Sequence, residues 1–266
     1  MKNRKSACNI NRLQPVVGFL TVVGIWSIAR LILGDTRMPS PWLVIRRFID
    51  TVMTSPEIQL QGAGSKGFLP HVFATLLRYI TGTLSGTLAA FIALFLVARW
   101  KTCNDIIVPI INILRAIPPL ALAPFLLLWF GTTPLAVIGV AIFYTFVMVF
   151  IPGVEAINRV DPTHVNFAKT LGANKTSITS EVIIPSITPS LAGPIKVAFN
   201  WAWGLVIVGE LLGARSGIGR ILNAFLALTA TDLVIVGIVW ILLLAIVSEQ
   251  LVGFILKNIL RWAISE

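Results

Sequence analysis

The sequence predicts an all-α membrane protein with six transmembrane helices and a cytoplasmic helix-turn-helix loop. Of its 266 residues, 56% are apolar and only 12% are charged, which is about half the charged fraction of a typical soluble domain. The chain contains six mainly apolar runs, and a helix of about 20 such residues is long enough to cross a bilayer core. A long polar segment, residues 159–191, separates the fourth run from the fifth.

The predicted spans follow one another along most of the chain. They are residues 15–33, 72–98, 106–130, 135–157, 195–212 and 233–256. The basic segment 1–14 resembles the start of a cleaved signal peptide, but the apolar run after it is long and no small-x-small cleavage motif follows. We therefore interpret 1–14 as a cytoplasmic N-terminal segment and 15–266 as one transmembrane domain.

The formal net charge of +10 is explained better by membrane topology than by nucleic-acid binding. The Lys and Arg residues lie beside the spans and form no single basic stripe. With the N-terminus inside, the cytoplasmic segments hold more Lys and Arg than the external ones, and the short external connection 131–134 is uncharged. This distribution predicts that both termini are cytoplasmic.

The sequence predicts no catalytic, metal or cofactor site. Cys8 and Cys103 both fall on the reducing side and imply no disulfide framework, and His71 and His164 are isolated. The chain contains no Gly-x-x-x-x-Gly-Lys-Ser/Thr loop, so it cannot hydrolyse ATP by that machinery. A membrane enzyme would need clustered His, Cys, Asp or Glu residues, and no such cluster is apparent.

An amphipathic helix is predicted between the first two spans. Arg46, Arg47 and Asp50 lie opposite an apolar face. That face consists of Trp42, Ile45, Ile49 and Val52. The pattern is typical of a helix at the membrane surface, and a gate or a contact with a binding protein is the alternative.

The polar segment 159–191 predicts two short helices. The first covers 163–171, with Asp161 as its cap and Pro162 in its first turn. Gly172 can take the positive φ that ends a helix and turns the chain.

The second short helix covers 174–183, with Asn174 as its cap and Pro185 closing it. Each helix has one apolar face, composed of Val165, Ala168 and Leu171 in the first and of Ile178 and Val182 in the second. Helices this short need a surface to pack on. Periodicity alone leaves two surfaces open: the chain's own transmembrane helices, or a groove in a partner.

The residues of this segment resemble the EAA loop of bacterial ABC importer permeases. That pattern is Glu-Ala-Ala, three residues, Gly, nine residues, Ile-x-Leu-Pro, and this chain has Asn-Phe-Ala, three residues, Gly, nine residues, Val-Ile-Ile-Pro over 166–185. Asn166 and Phe167 depart from the pattern. Ala168, Gly172 and Pro185 keep it.

Two further motifs resemble the branch that imports nitrate, taurine, alkanesulfonates, bicarbonate or thiamine-precursor pyrimidines. The first is Leu-Arg-Ala-Ile-Pro-Pro-Leu-Ala-Leu-Ala-Pro at 114–124, followed by Trp-Phe-Gly at 129–131. The second is Gly-Glu-Leu-Leu-Gly-Ala-Arg-Ser-Gly-Ile-Gly at 209–219, followed by Thr-Asp at 231–232. The resembling motifs run from Arg115 to Asp232 in the order that the family shows.

The resemblance implies a non-catalytic permease subunit of the bacterial inner membrane. It implies a homodimer in the lipid bilayer, two ATP-binding subunits and an extracytoplasmic solute-binding protein, with ATP bound by the partner and no nucleic acid involved. It also implies an ATPase-coupling loop formed by Asn166, Phe167, Ala168, Leu171, Gly172, Ala173, Val182 and Pro185. The solute would be a small anion or a pyrimidine. Arg215 and Arg220 on the outer face agree with an anion, and a contact with lipid phosphate headgroups is the alternative role for these two residues.

Four charged residues fall inside the predicted spans, where an ionisable side chain normally faces protein or a water-filled path. Arg78 and Glu249 lie towards span ends, so we expect them to snorkel. Arg115 and Glu210 match family positions and either line the translocation path or form structural ion pairs.

Prolines interrupt the third span at Pro109, Pro118, Pro119 and Pro124. They predict a broken helix lining the path. The candidate path residues are Arg115, Pro118, Pro119 and Glu210. Asn200, Trp201 and Trp203 lie at the start of the fifth span, where they could contact the solute. We interpret the two tryptophans as interfacial anchors instead.

A gradient-driven secondary transporter is the alternative to an ABC permease. Such proteins typically contain inverted repeats and midplane carboxylates, and no convincing repeat relates the halves of this chain.

Overall fold

The computed structural model describes residues 4–60, 64 and 66–263. Within these residues the chain is helical and contains no strand, so the predicted all-α class is confirmed. The helices are α1 Arg4–Leu33, α2 Pro41–Thr51, α3 Pro56–Leu60, α4 Leu69–Arg99, α5 Lys101–Leu114, α6 Pro119–Phe130, α7 Pro134–Asn158, α8 Pro162–Thr170, α9 Lys175–Ser177, α10 Ile184–Gly213, α11 Ile218–Ala227 and α12 Thr231–Ile259.

Among the described residues, five helical segments are long and apolar enough to cross a membrane. They are Val16–Leu33, Leu69–Arg99, Pro134–Asn158, Lys175–Gly213 and Thr231–Ile259. The pair α5 and α6 forms a sixth span if it is counted as one element, although its two halves meet at 97°. The predicted break in the third span is therefore present, between Leu114 and Pro119.

The helices form two compact units. One consists of Met1–Leu69 and Ile221–Trp240, and the other of Pro70–Arg220 and Ile241–Glu266. In the first unit, Ser40 caps α2 by accepting a hydrogen bond from the Leu43 N–H at 3.2 Å. Arg47 of α2 pairs with Asp232 at 3.0 Å and with Glu57 at 3.3 Å.

The predicted amphipathic helix is α2, and its apolar face is exposed. Trp42 is 74% exposed and Ile49 is 67% exposed, while Val44 and Thr51 are buried on the opposite side. Contact with the membrane surface stays a prediction for this face.

In the second unit, α10 and α7 build the core with α4 and α6. The buried side chains include Leu94, Val149, Phe150, Leu191 and Val206. α4 approaches α7 closely at Gly86, where an added Cβ would lie 2.7 Å from the Ile142 carbonyl oxygen. Small residues allow this kind of backbone approach between membrane helices.

The second short helix does not close at Pro185, so that part of the prediction is wrong. α9 continues through a π-helical turn, Ile178–Ile183, directly into α10. In an α-helix, proline clashes with the carbonyl four residues earlier. Here the Ile184 N–H bonds to the Thr179 carbonyl, five residues back, and this wider turn lets the helix pass Pro185.

The predicted boundary between the loop 159–191 and the fifth span is displaced for the same reason. Because the helix does not stop at Pro185, the span candidate begins at Lys175 and not at residue 195. The part of the loop from Lys175 onward is therefore continuous with α10.

Candidate functional site

The predicted helix-turn-helix is present, and α8 is its first helix. The Asp161 carboxylate caps α8 by accepting a hydrogen bond from the Thr163 N–H at 2.8 Å, and Pro162 occupies the first helical position. The hydrogen bond from Thr163 lowers the pKa of Asp161 because it stabilises the charged form of the carboxyl group. The cap therefore carries a negative charge that complements the positive end of the helix dipole.

The turn after α8 depends on Gly172. The Ala173 N–H donates to the Ala168 carbonyl at 3.1 Å, and the Gly172 N–H donates to the Lys169 carbonyl at 3.0 Å. These two bonds define a Schellman motif. Gly172 has a φ of +82°, which disfavours most residues with a side chain. An added Cβ would meet no atom within 4 Å.

Asn174 starts the second helix, as the sequence predicts. Its side-chain oxygen accepts hydrogen bonds from the N–H groups of Thr176 and Ser177, both at 2.9 Å. Arg99, the last residue of α4, donates from Nε to the Thr176 hydroxyl at 3.2 Å. The loop is thus held against the end of α4.

The loop presents an exposed apolar pair. Phe167 is 65% exposed and Leu171 is 72% exposed, and no residue of α8 is buried. The predicted coupling residues that are exposed are Asn166, Phe167, Leu171 and Gly172, and those that are partly buried are Ala168, Ala173, Val182 and Pro185.

Several residues at the break in the third span are exposed. The Arg115 N–H still bonds to the Ile111 carbonyl at 2.9 Å, after which the chain turns and α6 begins at Pro119. Arg115 and Pro118 are exposed. Arg115 forms no ion pair with any residue that the structure describes.

Glu210, near the C-terminal end of α10, is fully buried. Its carboxylate accepts hydrogen bonds from Arg78 at 2.5 Å, from the Thr75 hydroxyl at 2.9 Å and from the Gly219 N–H at 3.0 Å. A buried carboxylate needs such partners, because an uncompensated charge in a protein interior is strongly destabilising. The structure therefore favours a structural ion pair for Glu210 over a free position in a path.

The same cluster holds the turn between α10 and α11. Arg78 donates to the Ser216 carbonyl at 2.6 Å and to the Ser216 hydroxyl at 2.7 Å. The Gly217 N–H donates to His71 Nδ1 at 3.1 Å. A side chain at Gly217, whose φ is +112°, would collide with the Glu210 carboxylate.

Two interpretations from the sequence are wrong at this site. Arg78 does not snorkel, because only 4% of it is exposed and it pairs with Glu210. Trp203 is not an interfacial anchor, because it is buried and its Nε1 donates to the Ser248 hydroxyl at 2.8 Å. Trp201, by contrast, is 67% exposed.

The pairing of Arg78 with Glu210 was missed because 132 positions separate the two residues. One signal was present in the sequence. Two intramembrane charges of opposite sign are each costly alone, so each is a candidate partner for the other. Clusters of three or more His, Cys, Asp or Glu residues that could hold a metal are absent from the described part of the chain.

The chain resembles known transport proteins over most of its length. It is 26% identical over 246 residues to the taurine transport system permease protein of Escherichia coli, covering 89% of this chain and 84% of that protein. It is 26% identical over 221 residues to the nitrate import permease protein of Synechococcus elongatus, covering 81% of this chain and 79% of that protein. These resemblances agree with the branch that the motifs indicate.

A solved structure of an inward-facing methionine ABC transporter contains a chain with a similar fold. The TM-score is 0.59 at 18% identity, over 78% of this chain and 98% of that one. Residues 82–261 match the family described as the binding-protein-dependent transport system inner membrane component. The protein is thus an ABC transporter permease and belongs to this family.

Proposed function

We propose that this chain is the translocation subunit of an ABC importer for a small solute, and that the loop 159–191 couples it to a separate ATPase subunit. The chain itself binds no ATP in this proposal, since its sequence has no phosphate-binding loop. Its function is to open and close a path in response to the partner.

The exposed apolar pair on the loop is the observation that carries this proposal. Phe167 and Leu171 are 65% and 72% exposed on a short helix that is capped, turned by Gly172 and joined through a π turn to α10. Large exposed apolar side chains on an ordered element are typical of a helix that docks in a groove. The continuous helix Lys175–Gly213 would carry a movement of the docked loop into the membrane.

The assembly follows from the family. Two copies of this permease would pair in the inner membrane, each with one ATPase on its cytoplasmic loop, and a binding protein would deliver solute from outside. Both termini would be cytoplasmic, as the distribution of Lys and Arg predicts.

We place the break between α5 and α6 beside the path. Arg115 is exposed there and Pro118 and Pro119 interrupt the helix, and irregular backbone at membrane depth needs a water-filled cavity or protein around it. Glu210 contributes differently, by holding the α10–α11 turn through Arg78.

The solute that this proposal favours is a small anion, such as nitrate, a sulfonate including taurine, or bicarbonate, with a thiamine-precursor pyrimidine as the other class. Relatives named for taurine and nitrate support the first class.

Uptake into proteoliposomes tests the proposal. The permease would be reconstituted with its ATPase and binding protein, and labelled taurine, nitrate and an alkanesulfonate would be offered with ATP inside or without it. We expect uptake of at least one probe to require internal ATP and to survive ionophores that collapse ion gradients. Uptake that needs a gradient and no ATP would establish the secondary-transporter alternative.

A further inference from the structure

Three consecutive backbone N–H groups at the start of α11 each donate to a different buried side chain. The pairs are Gly217 with His71 Nδ1 at 3.1 Å, Ile218 with the Thr75 hydroxyl at 2.8 Å and Gly219 with the Glu210 carboxylate at 3.0 Å. The first N–H groups of a helix have no partner inside the helix. Side chains from α4 and α10 therefore take the place of a local cap.

α4 provides most of these contacts from one face. His71, Thr75 and Arg78 follow one another at spacings of four and three residues, so they lie on the same side of the helix, and all three are buried. Arg78 completes the set by donating to the Ser216 carbonyl at 2.6 Å and to the Ser216 hydroxyl at 2.7 Å. We call residues 216–219 the latch turn, because α4 holds every part of it except Gly219.

The contact with His71 requires a neutral imidazole. Its Nδ1 accepts the hydrogen bond from Gly217, and an imidazole nitrogen accepts only when it carries no proton. In the protonated form both ring nitrogens are donors, so Nδ1 would face the Gly217 N–H with a second donor. The bound arrangement therefore excludes a proton at Nδ1, whereas a released His71 is able to take one.

The direction of the pH effect follows from this difference. A state that binds an extra proton becomes more populated as the pH falls, so acid favours release of the latch turn. The charged groups of the cluster are Arg78 on α4 and Glu210 on α10, which pair with each other. Arg215, in the connection before the turn, is exposed and donates to the Thr132 hydroxyl at 2.9 Å. Of the three acceptors, only His71 is of a type that ordinarily titrates between about pH 5 and pH 8.

We propose that His71 makes the latch turn acid-sensitive: protonation of its imidazole releases the turn from α4 and lowers transport. A released turn would no longer fix the C-terminal end of α10 against α4. The turn lies on the predicted external side, so the external medium would be the one that acts. The effect on transport rests on the proposed importer function, while the release of the turn does not.

Hydrogen–deuterium exchange at the Gly217 amide tests the release directly. The full chain would be measured with its partner subunits in lipid nanodiscs, at about pH 7.5 and about pH 5.5, one unit on either side of the ordinary histidine titration. Each rate is divided by the rate of an unstructured peptide at the same pH, which gives a protection factor. We expect protection to fall about tenfold at the lower pH, because the released state gains about that factor by binding a proton.

Two substitutions at His71 separate its titration from its role as an acceptor. His71→Asn keeps a side-chain oxygen for the Gly217 N–H and does not titrate, so protection should be similar at both pH values. His71→Ala removes the acceptor, so protection should be low at both. The chain has one other histidine, His164, which is exposed on α8. His164→Asn is the matched control and should leave the pH response unchanged.

ATP-driven uptake by the reconstituted complex is the second readout. The internal pH is held constant while the external pH is lowered, and uptake is expressed as the ratio of the rates at the two external values. We expect this ratio to fall for the unaltered chain and to stay closer to one for His71→Asn. An absence of uptake at both pH values would contradict the proposed function, whereas the exchange measurement would still test the latch turn.

Three results would overturn the inference. Protection of Gly217 that is equal at both pH values in the unaltered chain would show that acid does not release the turn. A fall that persists in both His71→Asn and His71→Ala would assign the response to another group, such as Glu210. Acid release without any change in uptake would contradict the regulatory role.

Discussion

At the scale of single residues, Glu210 shows how this protein keeps a charge inside its membrane domain. Moving a carboxylate out of water carries a penalty of several kcal/mol, and an ion pair compensates for it only when its other hydrogen-bonding groups are also satisfied. Arg78, Thr75 and Gly219 provide these partners. The backbone turn after α10 is then fixed by side chains from α4.

Glu210→Gln should destabilise the permease by about 3–5 kcal/mol, because it leaves Arg78 buried and unpaired. Glu155→Gln is the matched control. Glu155 forms an exposed ion pair with Arg159 at 3.7 Å, and its loss should change stability by less than about 1 kcal/mol. Thermal unfolding of the purified complex in detergent measures both. Equal stability of the two variants would contradict the buried ion pair.

Gly172→Val should impair coupling, because a β-branched residue at a φ of +82° is strained by at least about 1–2 kcal/mol. Gly172→Asn is the control, since Asn tolerates the left-handed conformation and the site has room for a side chain within this chain. ATPase activity stimulated by the loaded binding protein should fall for Val and remain near normal for Asn. Loss of coupling with Asn as well would show that a partner, and not the backbone, requires glycine here.

At the scale of elements, α9 and α10 form one helix that contains a π-helical turn. The π-helical turn Ile178–Ile183 keeps the backbone hydrogen-bonded past Pro185, so the loop is joined to the membrane by helix and not by coil. In the proposed mechanism, a movement of α9 would be passed to α10 along this helix. Ala168, Val182 and Pro185 are partly buried in this segment, and Phe167 is exposed.

Phe167→Ser combined with Leu171→Ser should weaken ATPase binding without unfolding the permease. Both side chains are mostly exposed, so the permease alone loses little buried apolar area, while a docked complex would lose about 1.5–3 kcal/mol for each fully buried side chain. Co-purification of the ATPase subunit measures binding, and unfolding of the isolated permease measures stability. Thr163→Ser on the same helix is a control that should affect neither. An ATPase bound as tightly as before would show that this face is not the docking surface.

At the scale of the whole molecule, the number of spans depends on how the α5–α6 pair crosses the bilayer. Each of the two helices is short for a span, and together they are bent by 97°. If both lie within one crossing, the chain has six spans and its termini lie on the same side. If the pair enters the membrane and returns to the same side without crossing it, the chain has five spans and its termini lie on opposite sides of the membrane.

Cysteine labelling distinguishes these topologies. With Cys8 and Cys103 replaced by serine, Thr132→Cys should react with an impermeant maleimide from outside the cell, and Lys175→Cys should react only after the membrane is opened. The physical reason is the excess of Lys and Arg on the predicted cytoplasmic side. Labelling of Lys175→Cys in intact cells would contradict the predicted orientation.

Composition and local pattern determined the class of this protein and the outline of its loop. A chain with 12% charged residues has to place most of its length in lipid or in a protein core. Asp161, Gly172 and Asn174 act through hydrogen bonds to residues at most five positions away, so their roles follow from adjacent sequence. The motifs at 114–124 and 209–219 indicated the family because the order and spacing of their residues are visible in the sequence itself.

Only the tertiary structure decided which charges are paired and which face of each helix is open. Arg78 and Glu210 meet across 132 positions, and no local periodicity encodes a contact between distant helices. Which face of α10 is exposed also depends on burial by its neighbours, because the residue types at Ser190, Gly193 and Asn200 do not by themselves indicate exposed positions. Pro185 is the remaining case. A proline at this position usually ends a helix, but here the helix continues past it through a π-helical turn. The sequence alone did not indicate the backbone hydrogen bonds of that turn.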